Sequence, residues 1–245
     1  MSYKDELYSK YVSDHISHYK GDVTLNTLKS RAILWKKQFG KFLPEDKNSE
    51  IVDLGCGPGT IVWWLHQSGY KKAQGIDISA EQLEAGRRLG VANLEQGDIK
   101  EFLRDKKGYF DVIFARDILE HFNKKDVFEI LSLCFRSLKD NGRMMIQVPN
   151  AESPFGGRNR YGDFTHEVAF TAVSVSQLLR TAGFNRIQVF PQGPVFWPDP
   201  GSLTRLILWQ FVKAFYRFLL WVELGQLSRV SQVSLNIIVV ATRKT

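Results

Sequence analysis

Three observations predict an α/β domain. Short apolar runs of strand length alternate with longer runs of helical spacing from residue 50 to residue 191. A glycine-rich turn joins the first strand to the first of those helices in "IVDLGCGPGT" (51–60). The chain has 245 residues, 44% of them hydrophobic, enough to build one large core.

"EIVDLG" (50–55) reads as a buried strand, and a helix starts near Thr60 after the glycine turn. "AQGIDI" (73–78) is a second strand, and "AEQLEAGRRLG" (80–90) is a helix closed by Gly90. "VANLEQGD" (91–98) holds a third strand and "FDVIFA" (110–115) a fourth. "KDVFEILSLCFRSLKDNG" (125–142) has helical spacing up to its glycine, and "RMMIQVP" (143–149) is a fifth strand. A loop follows from 150 to 171, then a helix over 172–183 and a strand over 186–191. An apolar helix lies within 202–225, and a last strand within 233–244. The segment 192–232 therefore reads as an insertion between the last two strands of a single domain spanning 1–245.

Charged residues make up 24% of the chain, which excludes wholesale disorder. The two cysteines, Cys56 and Cys134, are far apart, which speaks against a disulfide scaffold and suits a reducing compartment. The N-terminus "MSYKDELYSK" lacks the apolar core of a signal peptide, so a cytoplasmic location is expected. The net charge of +7 is spread in small pairs such as Lys36–Lys37 and Arg87–Arg88, without an arginine-rich tract. No nucleic-acid partner is expected from that pattern.

The glycine turn places Gly55, Gly57 and Gly59 at alternate positions, where a backbone without Cβ can approach a ligand closely. The next helix N-terminus offers free N–H groups. Asp77 closes the second strand about twenty residues on, where a carboxylate can accept both hydroxyls of a ribose. A dinucleotide site would read G-x-G-x-x-G, whereas this chain reads G-x-G-x-G with Asp53 two residues before its first glycine. A diphosphate would not welcome that carboxylate, while an ammonium and a sulfonium would. The balance favours S-adenosylmethionine over NAD.

With these residues in view, the chain resembles class I S-adenosylmethionine-dependent methyltransferases. "VDLGCGPG" is similar to their first motif, "GIDIS" to the second, "QGDI" (96–99) to the adenine-side segment and "FDVIFARDILEHF" (110–122) to the fourth-strand motif. The resemblance implies a Rossmann-like seven-stranded sheet, mostly parallel with the last strand antiparallel and helices on both faces. It also implies site roles. Gly55 and Gly57 would lie along the methionine part and Asp53 near its ammonium. Asp77 would hold the ribose, Ile78 would pack on adenine, and Asp98 with Ile99 would contact the adenine edge. Ala115 and Arg116 would form the floor beneath the sulfonium. In related enzymes the region before the first strand (here 1–48) folds over the cofactor as a helical cover, which would bring Tyr11 and His15 to the site.

A hydroxyl acceptor needs a base to remove its proton. His121 in "ILEHF" follows the fourth strand, at the edge where ligands bind in open α/β sheets. His166 lies in "RYGDFTHEVAFT", which gathers Arg160, Tyr161, Asp163, Thr165 and His166 in one loop. His166 oriented by Asp163 is the first candidate for the base, and His121 the second. No compact His/Asp/Glu ligand cluster stands out along the chain, so no metal is called for. The D-x-T-H loop with "AFTAVSVSQLLRTAGF" resembles methyltransferases of bacterial surface-polysaccharide biosynthesis. That likeness implies O-methylation of a saccharide or a lipid-linked glycan precursor. A quinone or small-lipid methyltransferase, and a non-catalytic cofactor-binding subunit, are the competing expectations.

At 100° per residue, Ile207, Leu208, Phe211, Val212, Ala214, Phe215, Phe218, Leu219 and Val222 share one side of the apolar helix. Lys213 and Arg217 would sit near the bilayer centre of a spanning helix at about +2.5 to +3.5 kcal/mol each, which argues against a span. A membrane-surface helix, which would place the enzyme at the inner face of the membrane, fits the pattern. So does burial against a subunit or the domain itself.

Overall fold

A computed structural model describes residues 7, 23–194, 200–225 and 232–244. Seven strands form one sheet: β1 (Ile51–Leu54), β2 (Gln74–Asp77), β3 (Leu94–Gln96), β4 (Phe110–Arg116), β5 (Leu138–Pro149), β6 (Arg186–Pro191) and β7 (Asn236–Thr242). Their order is β3-β2-β1-β4-β5-β7-β6. Pairing is parallel from β3 to β5, and β7 runs antiparallel to both β5 and β6. The chain winds outward from β1 through β2 and β3, then returns to β4 on the other side. That reversal opens a crevice at the carboxyl ends of β1 and β4.

Among the described residues, eight α-helices accompany the sheet: α1 (Leu25–Phe39), α2 (Thr60–Gln67), α3 (Ala80–Arg88), α4 (Ile99–Arg104), α5 (Lys124–Ser137), α6 (Gly156–Gly162), α7 (Ala172–Thr181) and α8 (Pro200–Leu224). Several starts follow from side chains that accept a first-turn N–H: Thr24 for α1, Ser79 for α3, Asp98 for α4, Asn123 for α5 and Thr171 for α7. The core has two layers because strand residues alternate between faces. Ile51, Val112 and Phe114 pack with Trp35, Phe39 and Trp64 of α1 and α2. Val52, Leu54 and Ile113 pack on the opposite face with Ile130, Leu131 and Leu133 of α5.

Two elements depart from the pattern. α5 stops at Ser137 rather than continuing to Gly142, because Leu138 turns extended and pairs with Phe110. Gly142 lies where the register of β5 on β4 shifts, and a Cβ there would come 2.8 Å from the Lys139 carbonyl oxygen. A short helix, α6, lies within the stretch that reads as loop. Of the expected N-terminal cover, α1 is described, and it packs through Leu28, Trp35 and Phe39. Tyr11 and His15 lie outside the described residues.

α8 occupies the segment expected to hold the apolar helix. Among its described side chains only Ser202 is buried. Its apolar side is not covered by the domain: Phe211 is 69% exposed and Val222 61%. Among the described residues, no helix is long and apolar enough to cross a membrane.

Candidate active site

The crevice holds a cavity of about 570 Å³ walled by the β1–α2 turn, the ends of β2 and β4, the start of α4, and α1. Its glycine wall is sterically determined. Gly55 and Gly57 take φ of +66° and +54°, and a Cβ on Gly55 would sit 2.5 Å from the Ile118 side chain. The Gly57 N–H donates to Asp77 Oδ2 at 2.7 Å, and the Ser79 N–H donates to Asp77 Oδ1 at 2.8 Å. Burial raises the Asp77 pKa, and these backbone donors oppose the rise. Ile78 stands beside it in the cavity wall and is 60% exposed, an apolar surface suited to an aromatic ring. Asp98 and Ile99 also line the cavity, with Asp98 Oδ1 accepting the Lys100 and Glu101 N–H groups of α4.

Asp53 is 3% exposed beneath the glycine loop, and its Oδ1 has no hydrogen-bond partner among the described residues. Burial pushes its pKa up to about 7, and the Arg116 guanidinium pulls the other way. The unpartnered Asp53 Oδ1 beneath a cradle too tight for side chains would favour an α-ammonium group on the other side of the loop. The residues present therefore fit S-adenosylmethionine. Asp53 itself is outside the cavity wall.

Ala115 does not reach the cavity as expected. Strand alternation turns it into the core with Leu54 and Ile146. Arg116 does line the cavity. It bonds Asp117 Oδ2 at 2.6 Å, and its guanidinium lies 4.7 Å from the Trp35 ring centre. Asp117 takes φ of +51°, an unusual conformation for a side chain other than glycine. The Gln147 amide donates to Asp117 at 3.0 Å, the Gln192 amide to Gln147 Oε1 at 3.1 Å, and the Asn236 amide to Gln192 Oε1 at 2.8 Å. Arg31 also lines the cavity, its pKa lowered first by burial and then by Arg116. Asp117, Gln147, Gln192, Arg31 and Trp35 were not singled out from the sequence. One signal was present: the charged pair Arg116–Asp117 interrupts an apolar strand just before "ILEHF".

The two histidines meet. Their ring centres are 4.7 Å apart, edge to face. His121 is in the cavity wall, whereas Asp163, Thr165 and His166 are not. Asp163 Oδ1 accepts the Thr165 hydroxyl at 2.6 Å and the Thr165 N–H at 3.0 Å. The hydroxyl's single proton is committed to the carboxylate, so Thr165 Oγ1 accepts from His121 Nδ1 at 2.7 Å. In the neutral ring this puts the proton on Nδ1 and makes Nε2 the acceptor nitrogen. His166 Nδ1 donates to the Asn159 carbonyl oxygen at 2.8 Å, and burial lowers its pKa. The loop is tied to the turn carrying His121, since the Glu167 N–H donates to the Glu120 carbonyl oxygen at 2.7 Å. Folding also creates a ligand cluster that the linear sequence hides: Glu120, His121 and His166 offer donor atoms within 4.8 Å of one another.

The profile of a family described as "Methyltransferase domain" matches residues 28–189, well over half of the chain. The chain belongs to this family: it is a class I S-adenosylmethionine-dependent methyltransferase, and S-adenosylmethionine is its cofactor. It is 35% identical over 108 residues to the ubiquinone biosynthesis O-methyltransferase of Pelagibacter ubique, a stretch covering 42% of this chain and 43% of that protein. It is 22% identical over 175 residues to the phosphoethanolamine N-methyltransferase of Plasmodium falciparum, covering 69% and 65% respectively. The fold is similar to a solved S-adenosylmethionine-dependent methyltransferase from Archaeoglobus fulgidus, with a TM-score of 0.66, 20% identity, and coverage of 95% and 99%.

Proposed function

We propose that the chain methylates the oxygen of an acceptor hydroxyl and that His121 takes the acceptor's proton. The observation that carries this reading is the Asp163–Thr165–His121 relay, which holds a basic nitrogen in the cavity wall. Bound S-adenosylmethionine supplies the electrophilic methyl group. The protein's task is to align the acceptor oxygen and remove its proton. Asp77 and the glycine turn hold the nucleoside and methionine portions, and Ile78, Asp98 and Ile99 form the adenine side. Arg116, braced by Asp117 and Trp35, sets the floor. As the acceptor oxygen attacks, its proton passes to His121 Nε2, and Thr165 with Asp163 stabilises the resulting imidazolium through Nδ1–H. An amine acceptor would need no such relay, which supports O-methylation.

This assignment exchanges the two histidines. His166, the first candidate from the sequence, supports the His121 ring and anchors to Asn159. For the acceptor, we favour a phenolic quinone-ring precursor over a saccharide. Two observations support that choice: the likeness to an enzyme named for ubiquinone biosynthesis, and base strength. A phenol with a pKa near 10 is within a histidine's reach, whereas a sugar hydroxyl is a weaker acid.

The cluster of Glu120, His121 and His166 supports a second reading, in which a divalent cation held there polarises the acceptor oxygen. His121 Nε2 would then bind the cation rather than the proton. Turnover in EDTA separates the two. The base reading expects unchanged rates, and a loss restored by added divalent metal would replace it with the cation reading.

A further inference from the structure

We propose that α8 is a docking element for an anionic lipid surface. The helix is 25 residues long, or about 37 Å at 1.5 Å per residue. Plotted at 100° per residue, Leu203, Ile207, Leu208, Phe211, Phe215, Phe218, Leu219 and Val222 fall within an arc of about 160°, shared with Ala214, Trp221 and Thr204 but with no charged residue. Those eight side chains are each between 43% and 69% exposed. A soluble domain turns such a face inward; here it turns outward along the whole length of the helix.

Charge decides what covers it. Arg205 and Arg217 flank the apolar arc, each about 40° beyond one of its edges, Lys213 lies on the far side, and Glu223 at the far end is the helix's single acid. Arg158 adds a further cation where the groove between α6 and α8 meets Phe155, itself 56% exposed. A second copy docked face to face would bring no excess of opposite charge, since each helix carries three cations to one acid and the whole chain is +7. An anionic lipid surface meets them with opposite charge and accepts the phenyl and indole rings at headgroup depth.

The placement also serves access to the site. Gln192 borders both the groove beside α8 and the catalytic cavity. A molecule anchored in the bilayer would therefore meet the cavity mouth next to the docking face. The inference does not depend on which acceptor is used.

The test is flotation of the full chain with vesicles of equal parts phosphatidylglycerol and phosphatidylcholine, and with phosphatidylcholine alone. Solution mass is measured by light scattering in parallel. The wild type should float with the anionic vesicles and bind them at least about tenfold more tightly than the neutral ones. F211D combined with F215D should lose that binding while keeping the wild-type melting temperature and turnover of soluble acceptor, since both side chains are exposed. R205E with R217E should reduce binding in a salt-dependent way. A wild type that stays unbound would overturn the proposal. So would a solution dimer that F211D with F215D converts to monomer without any lipid binding, which would assign the face to a second copy.

Discussion

His121 owes its basic nitrogen to Thr165 and Asp163, on a loop far from it in sequence. Replacing it with alanine should lower turnover by about 10² to 10⁴ with cofactor affinity unchanged. Thr165→Val breaks the relay but keeps the shape, so it should lower kcat and move the pH profile, whereas a merely structural role would leave the profile in place. The second residue of consequence is Asp53. Its pKa is near 7 in the folded protein and about 3.9 unfolded, so the folded state holds the extra proton between those values. Stability of the cofactor-free protein is therefore fully present at low pH and falls as pH rises from about 4 to 7, by about 4 kcal/mol at most. Melting curves at pH 5 and pH 8 check this. Asp53→Asn should flatten the decline and weaken cofactor binding; parallel declines for wild type and variant would refute the assignment.

Among the elements, α3 is tied to the cofactor turn by a close approach at Gly86. Alanine in an ordinary helix interior stabilises by about 1 kcal/mol over glycine. At Gly86, however, a Cβ would lie 2.5 Å from the Pro58 carbonyl oxygen. Backbone cannot yield as a flexible side chain can, so Gly86→Ala should lower both the melting temperature and cofactor affinity. A stabilised variant would show that α3 can pull away from the turn. The strands and most helices follow directly from apolar spacing and capping residues. The end of α5 does not, because Leu138 continues the helical period of Ile130, Leu131 and Cys134 while belonging to the sheet. α6 carries no apolar stripe to reveal it. The orientation of α8 was beyond periodicity, since an inward and an outward apolar face have the same spacing.

For the molecule as a whole, the two halves of the site differ in how openly the chain displays them. The cofactor half is built from short contiguous motifs, 51–60, 75–79 and 96–99, so their residues can be recognised in place. The half proposed to take the acceptor is assembled from Asp117, His121, Gln147, Thr165 and Gln192, which only the sheet order brings together. Asp163, which proximity in sequence pairs with His166, also accepts from Thr165 and through it reaches His121 on a different element. The same assembly produces the Glu120–His121–His166 cluster; with His121 acting as the base, turnover should nevertheless be insensitive to EDTA. Conversion of S-adenosylmethionine to S-adenosylhomocysteine should be followed for wild type and His121→Ala, with a phenolic quinone precursor and a lipid-linked saccharide as parallel acceptors. The wild type should yield an O-methylated phenol, and the variant should bind the cofactor equally well but turn over about a hundredfold slower or worse. Equal turnover by the variant, or cofactor binding without product from either acceptor, would contradict the account.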